Sequence, residues 1–260
     1  MTDTVSGRNT GIGELSVKIF ADGAELDSIL ALAENPLIKG FTTNPTLMRK
    51  AGITDYSGFA RDLIAAVPNR PISFEVFADD LPEMAAQARE IARWGENVNV
   101  KIPITNTQGI SCVPIIRELS AEGVQLNITA MFTLDQVRDV ADALHEDTPA
   151  IVSVFAGRVA DTGIDPLPLM AAAVDVLKAR PKAELLWASP RELLNIFHAD
   201  SIGCHIITVT HDVLNKLSII GKDLSSYSLE TVCMFYDDAK SAGYIIETNA
   251  SDSVRIHAAE

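Results

Sequence analysis

Eight short, β-prone apolar runs recur along the chain, each followed by a stretch with helical periodicity. The runs are Val17–Asp22, Gly40–Asn44, Ile72–Val76, Val98–Pro103, Gln125–Thr129, Ile151–Phe155, Leu185–Ser189 and Ile206–Val209. Between them, apolar residues fall at i, i+3, i+4 spacing, as in Leu26, Ile29, Leu30 and Ala33, or in Val137, Val140 and Leu144. Each such set makes one buried helix face. Strands that alternate with helices pair in parallel through helical crossovers. Eight units in about 210 residues match a closed barrel better than an open doubly wound sheet. Gly7, Gly11 and Gly13 precede the first run instead of following it, so a dinucleotide-binding glycine signature fails in its context. The expectation is an α/β chain with a single (β/α)8 TIM barrel and an additional C-terminal helix. Its parts are a polar lead-in (1–15, with a short helix at Ile12–Leu15), the barrel (16–227), the final helix (228–246) and a flexible tail (247–260).

Composition narrows the function classes. Acidic residues outnumber basic ones 35 to 21, for a formal charge of −14. That balance argues against a nucleic-acid partner, which needs an excess of Lys and Arg over phosphates. It leaves room for a phosphorylated small substrate, which needs only a few local cations. Cys112, Cys204 and Cys233 are widely spaced and form no CxxC pattern, so a disulfide framework and a structural zinc site are not expected. The five histidines show no i, i+4 pairing and no H-x-H, so no metal site is expected. The polar N-terminus lacks the apolar core of a secretory signal, and no run approaches the ~20 apolar residues of a membrane span. A cytoplasmic protein with no membrane partner is the expectation.

Strand parity carries the functional signal. Successive side chains on a strand point to opposite faces. Asn97, Asn99 and Lys101 share one face of the fourth run, Gln125, Asn127 and Thr129 one face of the fifth, and Ser73 and Glu75 one face of the third. Lys18, Phe20 and Asp22 share a face of the first, Thr42 and Asn44 of the second, and Leu185, Trp187 and Ser189 of the seventh. The apolar parity must meet the helices, so the polar parity points into the lumen, which barrels ordinarily fill with aliphatic residues. Asp22, Asn44, Glu75, Lys101, Asn127, Thr129, Ser153 and Ser189 would be costly there unless paired or functional. Each sits at or near the C-terminal end of its strand, where barrels place their chemistry. Lys101, the only lysine of the set, suits either a salt bridge or a Schiff-base nucleophile. Arg158 and Arg191 follow the sixth and seventh strands. With Pro190 at the first turn of the next helix, they make a candidate phosphate clamp. His211, just after the eighth strand, suits a capping role as well as a substrate contact.

In these stretches the sequence resembles the transaldolase family. The matching segments are Phe20-Ala-Asp22, Thr42-Thr-Asn-Pro45, Glu75, Val100-Lys-Ile-Pro103, Asn127-Ile-Thr129, Ser153-Val-Phe-Ala-Gly-Arg158 and Ala188-Ser-Pro-Arg191. They run in family order over about residues 16 to 220, and the similarity is to the short, barrel-only members. The resemblance implies a transferase with a metal-free class I mechanism and no cofactor. Lys101 would form a Schiff base with a ketose phosphate of the fructose 6-phosphate or sedoheptulose 7-phosphate type. Asp22 would take the C4-hydroxyl proton, and Glu75 with Thr129 would relay protons through a water. Thr42, Asn44, Asn127 and Ser153 would hold the dihydroxyacetone part. Arg158, Ser189 and Arg191 would hold the phosphate. Relatives that act as fructose 6-phosphate aldolases carry Gln and Tyr where Glu75 and Phe155 stand. The resemblance therefore favours transfer to an aldose phosphate over a lyase releasing free dihydroxyacetone. A non-catalytic sugar-phosphate binder is disfavoured by the retained Lys101, Asp22 and Glu75. The short relatives use the final helix between subunits, which implies a homo-oligomer. Pro190 and the stretch Thr208-Val-Thr-His211 depart from the family pattern.

Overall fold

The computed structural model describes residues 14–246. Eight parallel strands close on themselves in sequence order. They are β1 (Lys18–Asp22), β2 (Ile38–Thr42), β3 (Ile72–Glu75), β4 (Val98–Pro103), β5 (Leu126–Met131), β6 (Ala150–Val154), β7 (Ala183–Trp187) and β8 (Ile206–Thr210). Helix α1 (Leu26–Ala33) follows β1, and α2 (Pro45–Lys50) and α3 (Tyr56–Ala66) follow β2. The next crossovers are α4 (Leu81–Ala92), α5 (Val113–Ala121) and α6 (Leu134–Ala143). Two helices, α7 (Ala156–Asp161) and α8 (Leu167–Leu177), follow β6, and α9 (Leu194–Ser201) follows β7. After β8 come α10 (His211–Asn215) and a 3-10 turn at Lys216–Ile219. This is the (β/α)8 barrel that the alternation predicts. None of the described helices is long and apolar enough to cross a membrane.

Several boundaries differ from the sequence expectation. The second strand starts at Ile38 and stops at Thr42, two residues before Asn44. Asn44 instead caps α2: its Oδ1 accepts the Leu47 N–H at 3.0 Å, and Pro45 takes the first helical position. An Asn-Pro pair ends a strand and starts a helix in this way. The seventh strand starts at Ala183 and ends at Trp187, so Ser189 lies beyond it. Nor does Pro190 open the next helix. Asn195 Oδ1 accepts the N–H groups of Arg191 and Glu192, and α9 begins only at Leu194. The backbone donors foreseen for an anion at Pro190 are therefore occupied by Asn195.

The interior has two apolar regions. One lies between the strands and the helices. It takes the outward parity of every strand, for example Phe74, Val100, Ile128, Val152 and Trp187, and the inward helix residues Leu63, Ile116 and Val140. The second plugs the lumen with Phe20, Ile151, Leu186, Ala188 and Ile206. On β7 the lumen parity is thus Leu186 and Ala188. Leu185 and Trp187 face the helices, against the expectation that Ser189's parity points inward. The plug is tight: a Cβ on Gly40 would lie 2.6 Å from the Phe20 ring, so only glycine fits opposite it.

The chain forms two compact units, one up to Ser218 and one from Ile219. In the second, α11 (Leu224–Ser241) starts four residues before the expected Ser228, because the Asp223 carboxylate accepts the Ser226 N–H and caps the helix there. None of its residues is buried. Residues 1–13 of the expected lead-in, with the first half of the helix expected at Ile12–Leu15, and the tail (247–260) lie outside the described residues.

Candidate active site

Parallel register brings the strand-borne residues together. Glu75 and Lys101 are partners across β3 and β4, Lys101 and Asn127 across β4 and β5, and Asp22 and Thr42 across β1 and β2. All point into the lumen above the Phe20 plug. Lys101 is 8% exposed. Its Nζ donates to the Thr43 carbonyl at 2.8 Å and lies 3.2 Å from Glu75 Oε2. Thr42 Oγ1 donates to Asp22 Oδ1 at 2.8 Å, and Asn44 Nδ2 donates to Asp22 Oδ2 at 3.2 Å. One Asn44 side chain thus caps a helix with its oxygen and holds a carboxylate with its nitrogen. Deeper in, Ser153 Oγ donates to Asn127 Oδ1 at 2.6 Å and Asn127 Nδ2 donates to Ser73 Oγ at 3.0 Å.

Burial pushes the Asp22 carboxyl above the usual aspartate range. The Lys101 charge and the hydrogen bonds from Thr42 and Asn44 pull it the other way but do not win. A carboxylate raised in this way is a stronger base toward a hydroxyl proton than a solvated one.

Thr129 is 3% exposed on β5, and its hydroxyl makes no hydrogen bond to a described residue. The next residue, Ala130, has φ +60°, and the pairing of β5 with β6 slips between Ile128 and Met131. This is a bulge, a device that re-aims a strand end beside a site.

The arginine side is arranged differently. Arg158, on α7, is exposed, with its guanidinium 5.1 Å from the centroid of the Phe155 ring. Phe155 in turn packs on Phe132 at 5.7 Å between centroids. Arg191 is exposed and grips Asp161: Nε donates to Oδ1 at 2.8 Å, and Nη2 donates to Oδ2. Arg191 holds the Asp161 carboxyl below the usual range, with a smaller push from Arg158. Ser189 has φ +59°, an uncommon conformation for a side-chain-bearing residue. Its carbonyl turns against α7, and a Cβ on Gly157 would lie 1.5 Å from that oxygen. Glycine at 157 is what lets the β6 and β7 loops touch.

Four groups escape the sequence reading. The Tyr56 hydroxyl brackets the backbone of Glu75, donating to its carbonyl at 2.9 Å and accepting its N–H at 2.7 Å. Tyr56 sits on a helix, away from the strand pattern, so parity carries no signal for it. Thr208 Oγ1 is 2.5 Å from Thr42 Oγ1. Its lumen parity on β8 was legible, but it reads as a departure from the family pattern. The Thr43 carbonyl is backbone and invisible to any residue-type argument. Asp161 lies on a loop-borne helix where no periodicity points to it. His211 opens α10 and is exposed. Among the described residues, no group of His, Cys, Asp or Glu is arranged to hold a metal ion.

Fold and mouth together define a (β/α)8 barrel with one buried lysine and two carboxylates at the C-terminal ends of its strands. The chain belongs to the transaldolase/fructose-6-phosphate aldolase family, whose pattern matches residues 19–255. It is similar to a "Probable transaldolase" of Dehalococcoides mccartyi, 38% identical over 202 residues, which covers 77% of this chain and 90% of that one. A protein of the same name from Thermoanaerobacter sp. is 32% identical over 228 residues, covering 87% and 99%. Among solved structures, a "putative lyase/mutase" of Burkholderia cenocepacia J2315 has a TM-score of 0.54 at 15% identity, covering 88% of this chain and 86% of that one. A "putative fructose-1,6-biphosphate aldolase" of Coccidioides immitis also has 0.54, at 13% identity, covering 82% and 80%. These two share the fold. The family and the named relatives support an enzyme of transaldolase or aldolase type.

Proposed function

We propose that the chain is a transaldolase that moves a dihydroxyacetone unit from a ketose phosphate to an aldose phosphate through a Schiff base on Lys101. The carrying observation is the buried Lys101 Nζ beside Glu75 at 3.2 Å, with Asp22 at the same mouth in reach of the lysine's field. In this mechanism the Lys101 amine attacks the C2 carbonyl, and Glu75, with Thr129 and a water, shuttles the protons that turn the carbinolamine into an iminium and water. Asp22 takes the C4-hydroxyl proton, the C3–C4 bond breaks, and the shorter aldose leaves. The three-carbon enamine then adds to the acceptor aldehyde, Asp22 returns its proton, and hydrolysis frees Lys101. Thr42, Asn44, Asn127 and Ser153 hold the donor hydroxyls, and Arg158, Ser189 and Arg191 take its phosphate.

Phe155 favours transfer over release. Its ring packs against Phe132 and Arg158 and has no proton to give the enamine. The intermediate therefore waits for an aldehyde acceptor. The test is intact-mass analysis after borohydride trapping with a panel of ketose phosphates. The reading expects a three-carbon adduct that peptide mapping places on Lys101. Steady release of free dihydroxyacetone without an acceptor would replace the transferase with the lyase.

We also propose that the enzyme works as a homo-oligomer held by α11. That helix exposes Leu224, Tyr227, Leu229, Val232, Phe235 and Tyr236, more apolar surface than an isolated helix leaves in water. Light scattering on the full chain should give a multiple of 28.0 kDa. Phe235→Glu should shift it toward the monomer, and a wild-type monomer would end the proposal.

A further inference from the structure

The N-terminal mouth of the barrel, at the far end from Lys101, opens into a cavity of about 410 Å³. Its polar lining is Lys18, Lys39, Lys182, Glu184, Asn99 and Gln125. Phe20 and Ile151 form its floor, and they belong to the apolar plug that closes the lumen between the two mouths. A second cavity of about 540 Å³ shares Pro71, Asn99 and Gln125 with it and adds Arg70 and Glu96. Four cations thus face two carboxylates on a chain whose net charge is −14.

The cations are not all neutralised. Lys18 pairs with Glu184 at 2.7 Å, and Lys182 reaches the Asp147 carbonyl at 2.8 Å and its carboxylate at 3.4 Å. Lys39 donates to the Pro36 carbonyl at 2.7 Å and meets no carboxylate among the described residues. Arg70 Nη1 is buried without a hydrogen-bond partner. Asn99 supplies an independent sign. It is 4% exposed, lines both cavities, and its side chain makes no hydrogen bond to any described residue. Its amide atoms are not among the sealed, unpartnered ones, so they open into the cavity, where they can meet a ligand's polar groups.

We propose that this mouth is a second anion site, separate from the catalytic one, that takes a small organic phosphate. Lys39, Lys182 and Lys18 stand on or beside different strands around the ring, so their ammonium groups approach from different directions. A tetrahedral phosphate with three acceptor oxygens suits that arrangement better than a planar carboxylate with two. The cavity exceeds a bare phosphate in volume, and Asn99 and Gln125 are placed for the hydroxyls of an ester. Because the plug bars the way to Lys101, the ligand stabilises the barrel without competing with substrate.

The proposal does not depend on the Schiff-base reading, since an absent Lys101 adduct would leave it untouched. The test is calorimetric titration of the full chain carrying Arg158→Ala and Arg191→Ala, which removes the arginines of the C-terminal mouth. The probes are glycerol 3-phosphate, inorganic phosphate and glycerol. We expect saturable binding of glycerol 3-phosphate and none of glycerol. Adding Lys39→Ala and Lys182→Ala should weaken that binding roughly tenfold or more, as lost charge-assisted hydrogen bonds do. Asn99→Asp should do likewise, and the lysine pair serves alone if that buried change unfolds the protein. Inorganic phosphate binding as tightly as the ester supports the site and makes the free ion its ligand. In the otherwise wild-type chain the two lysine changes should leave kcat unaltered. Absence of phosphate binding in the arginine-free background, or binding indifferent to Lys39 and Lys182, overturns the proposal.

Discussion

The lysine side and the arginine side of the mouth are held by different means. Lys101, Glu75, Asp22 and Thr42 stand at strand ends, and their side chains meet in pairs, Thr42 with Asp22 at 2.8 Å and Lys101 with Glu75 at 3.2 Å. Arg158 and Arg191 stand on connecting segments. One leans on Phe155, and the other is spent on Asp161. Parallel register fixes the first set as firmly as the barrel itself, because each side chain's neighbour is its partner across the ladder. The second set must give up existing contacts before it can grip an anion. On the proposed function, the difference separates reaction from recognition: the reacting groups are built into the sheet, and the phosphate contacts form when the substrate arrives.

The largest effect should come from the strand-built side. Lys101→Met should reduce transfer on the order of a thousandfold or more, since no other residue supplies the nucleophile. Circular dichroism should show an intact barrel, and the borohydride adduct should vanish. Retained turnover would mean that the tight lysine–carboxylate cluster is a structural ion pair, and the contrast between the two sides would lose its catalytic meaning.

The same contrast explains what the sequence discloses. Alternation and parity identify the barrel and put Lys101, Glu75, Asn127 and Ser153 in its lumen, because a period of two is enforced by backbone geometry wherever one face is buried. Parity fails where the strand stops. Asn44 and Ser189 each lie two residues past the end of their strand, and one is a helix cap while the other sits at φ +59°. Pro190 suggests a helix start, but the side chain of Asn195, four residues on from Arg191, takes the backbone donors and delays the helix to Leu194. Asp161 and Tyr56 act through tertiary contacts with residues 30 and 19 positions away, a relation that no local pattern encodes.

Intermediate effects should come from the arginines. Each charge-assisted phosphate contact contributes roughly 1.5–3 kcal/mol. Arg158→Ala or Arg191→Ala should therefore raise KM for phosphorylated ketoses about 10- to 100-fold. KM for unphosphorylated analogues should barely move. Asp161→Asn sharpens the comparison. It frees Arg191 from an exposed, solvent-screened ion pair that holds it only weakly. KM for the phosphorylated donor should fall a few-fold. A rise instead would show that Asp161 orients Arg191 for the phosphate, so that the loop side, too, is set before substrate arrives.

The smallest effect concerns stability. Burial raises the folded-state pKa of Asp22 above its ordinary value of 3.8. In the unfolded chain the carboxyl loses its proton near that ordinary value, while in the fold it keeps it to higher pH. Across that interval the folded state binds more protons, so stability falls as pH rises from about 3.8 through the folded pKa, and the loss is complete above it. Asp22→Asn removes the titration and leaves a neutral amide beside Thr42 and Asn44. The variant should melt higher than the wild type at pH 7, and the gap should close as pH approaches 4, while transfer is largely lost. Thermal melts of both proteins between pH 4 and 8 decide the point. A wild type that gains stability over the variant with rising pH would mean that the attraction of Lys101 outweighs burial. The strand-built side would then be held together by its charges and would carry no stored cost for its chemistry.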